Sequence, residues 1–132
     1  MSYTVGDVIA ERTVHLTRES LVRYAGASGD FNPIHYRDDV AASVGLPGVL
    51  AHGMLTMGIA SSVVIAALGD SSKVTDYGVR FTRPVVVDPE HGAELSVLAK
   101  VGAVDETTAR IDLTVKHADT TVLGKAQLRV AV

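Results

Sequence analysis

Residues 53–68 read GMLTMGIASSVVIAAL, a stretch in which nearly every side chain is apolar or small. A helix with this sequence has no polar face, so we expect protein to enclose it on most sides. The apolar run at 54–68, about fifteen residues, is shorter than the roughly 20 residues that a membrane-spanning helix needs. We therefore predict a buried core helix from Gly53 to Leu68, ended by Gly69.

The second half of the chain changes to the alternating pattern of β-strands. Apolar and polar side chains alternate along residues 95–101, 109–116 and 124–130, and Gly124 is predicted to lie on the apolar face of its strand. Residues 77–83 form an earlier strand of the same kind. This pattern is typical of half-buried strands in an antiparallel sheet.

The residues before the long helix are predicted to form shorter elements. A short strand is expected at 13–16, followed by a helix that Thr17 caps. Residues 29–35 cannot continue that helix, because Pro33 lacks an N–H donor and disfavours the helical conformation in the residue before it. Residues 37–43 are expected to form one or two helical turns.

One apolar helix and a set of strands with one apolar face can bury each other if the sheet curls around the helix. That arrangement is the hot-dog fold, an α+β architecture in which an antiparallel sheet wraps a long central helix. The same pattern also fits another α+β layering. The length of the chain suits one domain, which we expect to span residues 1–132.

Composition excludes several classes of function. The formal net charge of −3 does not supply the clustered basic surface that phosphates require, so we expect no nucleic-acid partner. The lack of cysteine excludes a disulfide framework, a thiolate metal site and a cysteine nucleophile. Residues 1–10 contain no basic segment followed by an apolar run, so we expect a cytoplasmic protein without a signal peptide or membrane span.

The loop at 29–35 contains two side chains suited to proton transfer, Asp30 and His35. Ordinary pKa values of about 3.9 for Asp and about 6.5 for His make one a proton acceptor and the other a group that exchanges its proton near neutral pH. Pro33 stiffens the backbone between them. Taken alone, this spacing also fits two surface groups or a pair that stabilises a turn.

Residues 24–35, YAGASGDFNPIH, resemble the signature of MaoC-like (R)-specific enoyl hydratases, Gly-Asp-x-Asn-Pro-x-His. Residues 51–54, AHGM, resemble the junction between loop and long helix in that family, and residues 77–81, YGVRF, resemble its following strand. Within the family, the chain is similar to the catalytic beta subunit of actinobacterial (3R)-hydroxyacyl-ACP dehydratases.

The resemblance implies an activity and a partner. The activity is the reversible hydration of (2E)-enoyl thioesters to (3R)-3-hydroxyacyl thioesters in fatty-acid metabolism, carried on coenzyme A or acyl carrier protein, with no cofactor. The partner is a second hot-dog unit, identical or paralogous, so that a homodimer or heterodimer shares a pocket near its interface.

Such a hydration needs a base that activates water for attack at C3, an acid that protonates C2 and a donor to the enolate-like oxygen of the thioester. Asp30 and His35 supply the first two groups. Gly53 opens the long helix, where unpaired N–H groups and the positive end of the helix dipole converge, and glycine lets a carbonyl approach closely. The resemblance implies that the Gly53 N–H is the oxyanion donor.

Five further residues have both a functional and a structural interpretation. The resemblance suggests that Ser61 bonds the catalytic carboxylate, although a helix serine often bonds its own backbone instead. Asn32 is expected to orient the loop through backbone contacts rather than face the pocket. Met54 either lines the acyl tunnel or packs in the core. Arg80 and Arg83 either meet the phosphates of the carrier or are solvated on the strand.

The remaining histidines do not predict a metal site. His52, beside Gly53, is interpreted as a structural group at the start of the helix rather than as a second base. His15, His91 and His117 have no partners at the spacing of metal ligands, so we predict no metal.

Two alternative functions remain open at this point. A hot-dog thioesterase would use a carboxylate to direct water at the thioester carbon instead of C3. A non-catalytic subunit would bind the acyl chain while its partner performs the chemistry, but the presence of both Asp30 and His35 favours the catalytic member of such a pair.

Overall fold

The computed structural model describes residues 2–132. In chain order, the elements of that range are β1 Val8–Leu16, α1 Arg18–Ser28, a 3₁₀ turn at Pro33–His35, α2 Asp38–Ser43, α3 Gly53–Leu68, a second 3₁₀ turn at Ser71–Lys73, β2 Val74–Phe81, β3 Ala93–Val104, β4 Thr108–His117 and β5 Thr120–Ala131.

The five strands form one antiparallel sheet in the order β1-β3-β4-β5-β2. Strands β3, β4 and β5 follow one another directly along the chain, whereas β1 and β2 pair at the two edges. Ala118 and Asp119 turn the chain between β4 and β5 in left-handed conformations, with φ of 49° and 63°. The predicted strands are confirmed, although their bounds differ by a few residues.

Alternate side chains of the sheet build the core, as the period-two pattern predicts. Leu95, Val97, Ala99 and Val101 of β3 are each no more than 2% exposed. They share one hydrophobic cluster with the inward-facing side chains of β4 and β5 and with one side of α3. The predicted hot-dog fold is therefore confirmed.

A bulge in β5 changes which side chains face the core. Val122 and Leu123 are both buried although they are neighbours, and Lys125 has a φ of 43°. Gly124 is only partly buried. The prediction that Gly124 lies on the apolar face is wrong, because the irregular backbone at Lys125 interrupts the strict alternation.

Helix α3 has the predicted bounds, and Gly69 ends it in a left-handed conformation with φ of 76°. One side of the helix packs into the core through four buried residues, Thr56, Ala60, Val63 and Val64. The other side is exposed at Met54, Gly58, Ser62, Ala66 and Ala67. The prediction that protein encloses this helix on most sides is therefore wrong for this single chain, because the sheet covers only one side.

Tyr77 connects α3 to the edge strand β2. Its hydroxyl donates a hydrogen bond of 2.6 Å to the carbonyl of Met57, and burial raises the pKa of Tyr77 to about 12. The contact fixes the middle of the helix against the strand. Within residues 2–132, no helix combines the length and the apolar character that a bilayer crossing requires.

Candidate active site

The loop between α1 and α2 takes its shape from its own side chains. Gly29 ends α1 with a φ of 77°. Oδ1 of Asp30 then accepts a hydrogen bond from the N–H of Asn32 at 3.1 Å, and Oδ1 of Asn32 accepts one from the N–H of Ile34 at 3.2 Å. Two successive turns of this kind explain why Asp and Asn stand two residues apart. Asn32 thus orients the loop, as expected.

His35 is held in a defined orientation by the backbone of Leu50. Nδ1 of His35 lies 2.8 Å from the carbonyl oxygen of Leu50, and the N–H of Leu50 donates to the carbonyl of Ile34 at 3.1 Å. Because a carbonyl oxygen only accepts, Nδ1 carries a proton. In the neutral ring, Nε2 is therefore an unprotonated acceptor.

Asp30 and His35 face each other across a short gap. Oδ2 of Asp30 and Nε2 of His35 are 3.9 Å apart, and the Asp30 side chain is 51% exposed whereas the His35 side chain is 10% exposed. This distance is too long for a direct hydrogen bond, but one water molecule can bond both atoms. The pair is therefore suited to holding a single water.

The amino end of α3 lies beside this pair. His52 is the N-cap of the helix and makes no capping hydrogen bond with its side chain. Among the hydrogen bonds of residues 2–132, none uses the N–H of Gly53. An unpaired donor at the positive end of a helix is suited to binding a carbonyl oxygen that gains negative charge.

A cavity of about 310 Å³ opens between these groups and the ends of two strands. His35 and Gly53 both line it, whereas Asp30 lies next to it through its contact with His35. The rest of the wall is mostly apolar and consists of Leu50, Ala51, Thr56, Phe81, Thr82, Arg83, Pro84, Val85, Val122 and Leu123. Its size and apolar lining are typical of small-ligand pockets.

Phe81 was not anticipated as a site residue, and it covers the start of α3. A Cβ atom placed on Gly53 would lie 2.9 Å from Cε1 of Phe81, so the ring packs directly on the glycine. No side chain other than hydrogen fits at position 53 without displacing this ring.

Three of the predicted residues lie elsewhere. Ser61 donates its hydroxyl to the carbonyl of Gly58 at 2.9 Å, so the suggested bond to the Asp30 carboxylate is not made. Met54 is 57% exposed and does not line the cavity, because it lies on the free side of α3. Arg80 does not line the cavity either, whereas Arg83 does, because the chain turns inward only after β2 has ended.

His52 has more contacts than its place beside Gly53 suggested. It is 1% exposed, its ring stacks on His35 with centroids 3.8 Å apart, and the edge of Tyr24 meets it at 4.8 Å. Burial and, secondly, the neighbouring His35 lower the pKa of His52. A histidine directly before the helix start is the only signal of this role in the sequence.

Asp30, His35 and His52 also form a group of possible metal ligands whose ligand atoms lie within 4.8 Å of one another. The planes of the two imidazoles are only 21° apart. Because the rings are stacked and nearly parallel, their in-plane lone pairs lie in two separate planes. The prediction that no metal binds stays a prediction.

Comparison with known proteins identifies the family and some relatives. Residues 3–121 match the family model described as the MaoC like domain. A curated relative, 3-hydroxyacyl-thioester dehydratase X of Mycobacterium tuberculosis, is 33% identical over 111 residues, which are 84% of this chain and 38% of that protein.

Two solved structures have the same fold. A MaoC-like dehydratase is 37% identical and superposes with a TM-score of 0.94 over 98% of this chain and 40% of its own. The R-hydratase PhaJ1 from Pseudomonas aeruginosa is 28% identical, with a TM-score of 0.82 over 97% of this chain and 81% of its own.

The chain spans less than half of the length of the first two of these proteins. The expectation that residues 1–132 form one domain therefore stays a prediction. Since the family model covers most of the chain and the structure has the predicted fold, the chain belongs to the family of MaoC-like domains.

Proposed function

We propose that this chain catalyses the reversible hydration of (2E)-enoyl thioesters to (3R)-3-hydroxyacyl thioesters in fatty-acid metabolism. The observation that carries the proposal is the gap of 3.9 Å between Oδ2 of Asp30 and Nε2 of His35. It lies beside a cavity in which the unpaired N–H of Gly53 is available to a carbonyl oxygen. The names of two relatives, a 3-hydroxyacyl-thioester dehydratase and an R-hydratase, support the same reaction class.

In the hydration direction, a water bound in the gap attacks C3 of the enoyl thioester while Asp30 accepts one of its protons. The π electrons of the C2–C3 bond move towards the carbonyl, and the resulting enolate oxygen accepts a hydrogen bond from Gly53 N–H. His35, protonated on both nitrogens, donates the Nε2 proton to C2. Asp30 then returns a proton to His35, so that one water has been added and both groups are restored.

Each group contributes to a different part of the barrier. Positioned proton transfer typically contributes about 10²–10⁴ in rate, and loss of one oxyanion donor typically costs about 10²–10³. The Leu50 carbonyl keeps the Nδ1 proton of His35 in place in both protonation states. Of the two nitrogens of His35, only Nε2 then exchanges a proton during the reaction.

The direct test is hydration of crotonyl-CoA, followed by loss of the conjugated-thioester absorbance and by chiral analysis of the product. We expect (R)-3-hydroxybutyryl-CoA. An (S) product would contradict the proposal, and release of free coenzyme A thiol would favour a thioesterase instead. Parallel assays with crotonyl-ACP determine which carrier is used.

Asp30→Asn is the matched control for this assay. Asparagine keeps an Oδ1 acceptor for the N–H of Asn32, so the loop retains its first turn, but it cannot accept a proton from water. We expect kcat to fall by about 10²–10⁴ with little change in Tm. Unchanged turnover would contradict the role of the carboxylate.

We also propose that the free side of α3 and the outer edge of β2 bind a second hot-dog unit. The exposed apolar and small residues on α3 support this proposal, as does the greater length of two relatives. An exposed apolar surface of this kind usually marks an interface. Analytical ultracentrifugation of the chain alone, and with a co-expressed paralogue, distinguishes a homodimer from a heterodimer. A chain that is active and strictly monomeric would contradict this part.

The proposed location is the cytoplasm, where a cysteine-free chain has no need of an oxidising compartment. Fractionation of the cells that produce the protein tests the location.

A further inference from the structure

His52 is in contact with both members of the proposed acid–base pair. Its Nε2 atom lies 3.2 Å from the carbonyl oxygen of Asp30, and its ring stacks on His35 with centroids 3.8 Å apart. Within residues 2–132, this is the only hydrogen bond that Asp30 makes beyond residues 28–35. A single buried side chain therefore connects the exposed loop to the start of α3.

The contacts of His52 also define its protonation. A carbonyl oxygen only accepts, so Nε2 of His52 carries the proton that is donated to Asp30. Nδ1 of His52 is buried and has no hydrogen-bond partner among the described residues. A proton on Nδ1 would be buried without an acceptor, which is costly. His52 is therefore a neutral imidazole with its proton on Nε2.

The surroundings of His52 favour the neutral ring. The groups that face it are the His35 imidazole, the Asp30 backbone and side chain, and the phenol ring of Tyr24. A charged His52 would lie directly against the His35 imidazolium that the proposed reaction requires. Burial opposes a second charge at this place.

We propose that His52 is a positioning residue that sets the separation of Asp30 and His35, an inference that rests on the proposed function. Its N–H holds the backbone of Asp30, and its flat ring supports the face of His35. It does not line the cavity, and its contacts are with the backbone of Asp30 and the face of the His35 ring. Loss of His52 should therefore change kcat rather than KM.

Three substitutions separate its two contacts. His52→Gln keeps an N–H donor for Asp30 but loses the ring, His52→Phe keeps a flat ring but loses the donor, and His52→Leu loses both. We expect His52→Leu to lower kcat by about 10²-fold, the usual effect of misplacing reacting groups by about 1 Å, with little change in KM. Gln and Phe should each restore part of the loss.

Val64→Ala is the matched control, because Val64 is as deeply buried as His52 and does not line the cavity. This variant should lower Tm without lowering kcat. If His52→Leu behaves like Val64→Ala, with a lower Tm and wild-type kcat, His52 is merely structural and the inference is overturned. The inference is also overturned if His52→Gln and His52→Phe both lower kcat as much as His52→Leu does.

A measurement without substrate keeps this inference separate from the proposed hydratase activity. In ¹⁵N-edited NMR spectra of the histidine rings, wild-type His52 should be neutral with its proton on Nε2. In His52→Leu, the protected Nδ1–H signal of His35 should weaken or shift. A His52 proton on Nδ1, or unchanged His35 signals in the variant, would overturn the inference even in a chain with no turnover. Failure of the crotonyl-CoA assay alone would overturn only the proposed function.

Discussion

Nδ1 of His35 lies 2.8 Å from the carbonyl oxygen of Leu50, and this bond leaves Nε2 as the atom that faces Asp30. The two ring nitrogens thus have separate tasks. One anchors the side chain to the backbone, and the other is available for the proposed proton transfer.

Two substitutions of His35 separate these tasks. In His35→Asn the side-chain amide takes the place of Nδ1 and keeps a donor for Leu50, but the atom facing Asp30 is lost. We expect kcat for crotonyl-CoA to fall by about 10²–10⁴ while Tm stays close to that of the wild type. His35→Ala also loses the anchor and should lower both kcat and Tm. An active His35→Asn variant would exclude Nε2 from the reaction.

Gly53→Ala should be harmful, although alanine normally favours a helix. The added Cβ would lie 2.9 Å from Cε1 of Phe81, so the ring, which lines the cavity beside Gly53, must move. We expect kcat/KM to fall at least about tenfold, in line with damage to an oxyanion donor. Steady-state kinetics and thermal melts measure the two effects.

Gly26→Ala, in α1, is the control, because a Cβ there meets nothing within 4 Å and Gly26 lies outside the proposed interface on α3. It should leave Tm unchanged or raise it, since alanine is favoured over glycine by up to about 1 kcal/mol in a helix. The double variant Gly53→Ala/Phe81→Ala should recover Tm relative to Gly53→Ala. No recovery would show that Phe81 is not the obstacle.

Arg83, which lines the cavity, and Arg80, which does not, should differ in their effect on substrate affinity. We expect Arg83→Gln to raise KM for crotonyl-CoA with little change in kcat, because an exposed positive charge on the lining of the pocket attracts the phosphates of the carrier. The increase in KM should be smaller at high salt, because salt screens the attraction between the two charges. Arg80→Gln should leave KM unchanged, and equal effects of the two variants would argue against an arginine contact specific to the cavity.

Tyr77 should make the fold sensitive to alkaline pH. Burial raises its pKa to about 12 from the ordinary value of 10.0, so the folded state binds the phenolic proton more tightly than the unfolded state. The resulting stability, reduced to about 1 kcal/mol because solvent screens the partly exposed phenol, is fully present below pH 10 and is lost as the pH rises from about 10 to about 12. Urea unfolding across this window measures it.

Tyr77→Phe is the control for this pH dependence. It removes the titrating group together with its bond to Met57, and should lower the free energy of unfolding at neutral pH by about 1 kcal/mol. Its alkaline slope should be shallower than that of the wild type. Equal slopes would assign the alkaline loss of stability to other groups.

The sequence predicted those features that depend on local pattern. The bounds of α3 follow from an unbroken apolar run that Gly69 ends, and the shape of the loop follows from Asp30, Asn32 and Pro33, whose contacts lie within a few residues. The alternation of apolar and polar side chains along the strands predicted the sheet and which side chains face the core, except at the bulge of β5.

The remaining features depend on contacts between distant segments, which periodicity does not reveal. His52 reaches Asp30 across 22 residues, and Phe81 packs on Gly53 only because β2 ends beside the start of α3. The cavity includes Arg83 rather than Arg80 because the chain leaves the sheet at the end of β2. The side of α3 that the sheet covers depends on how helix and sheet pack together. Because the helix is apolar on every face, its sequence does not predict which side that is.

The strand order has a consequence for when the proposed site comes into being during synthesis. Asp30, His35 and Gly53 all precede β3 in the chain. Val122 and Leu123, which also line the pocket, belong to β5, the strand that pairs with β2. A nascent chain that has emerged from the ribosome only as far as β4 contains all three proposed catalytic residues but lacks Val122 and Leu123 of the pocket lining. The proposed site can therefore be complete only after β5 has been translated.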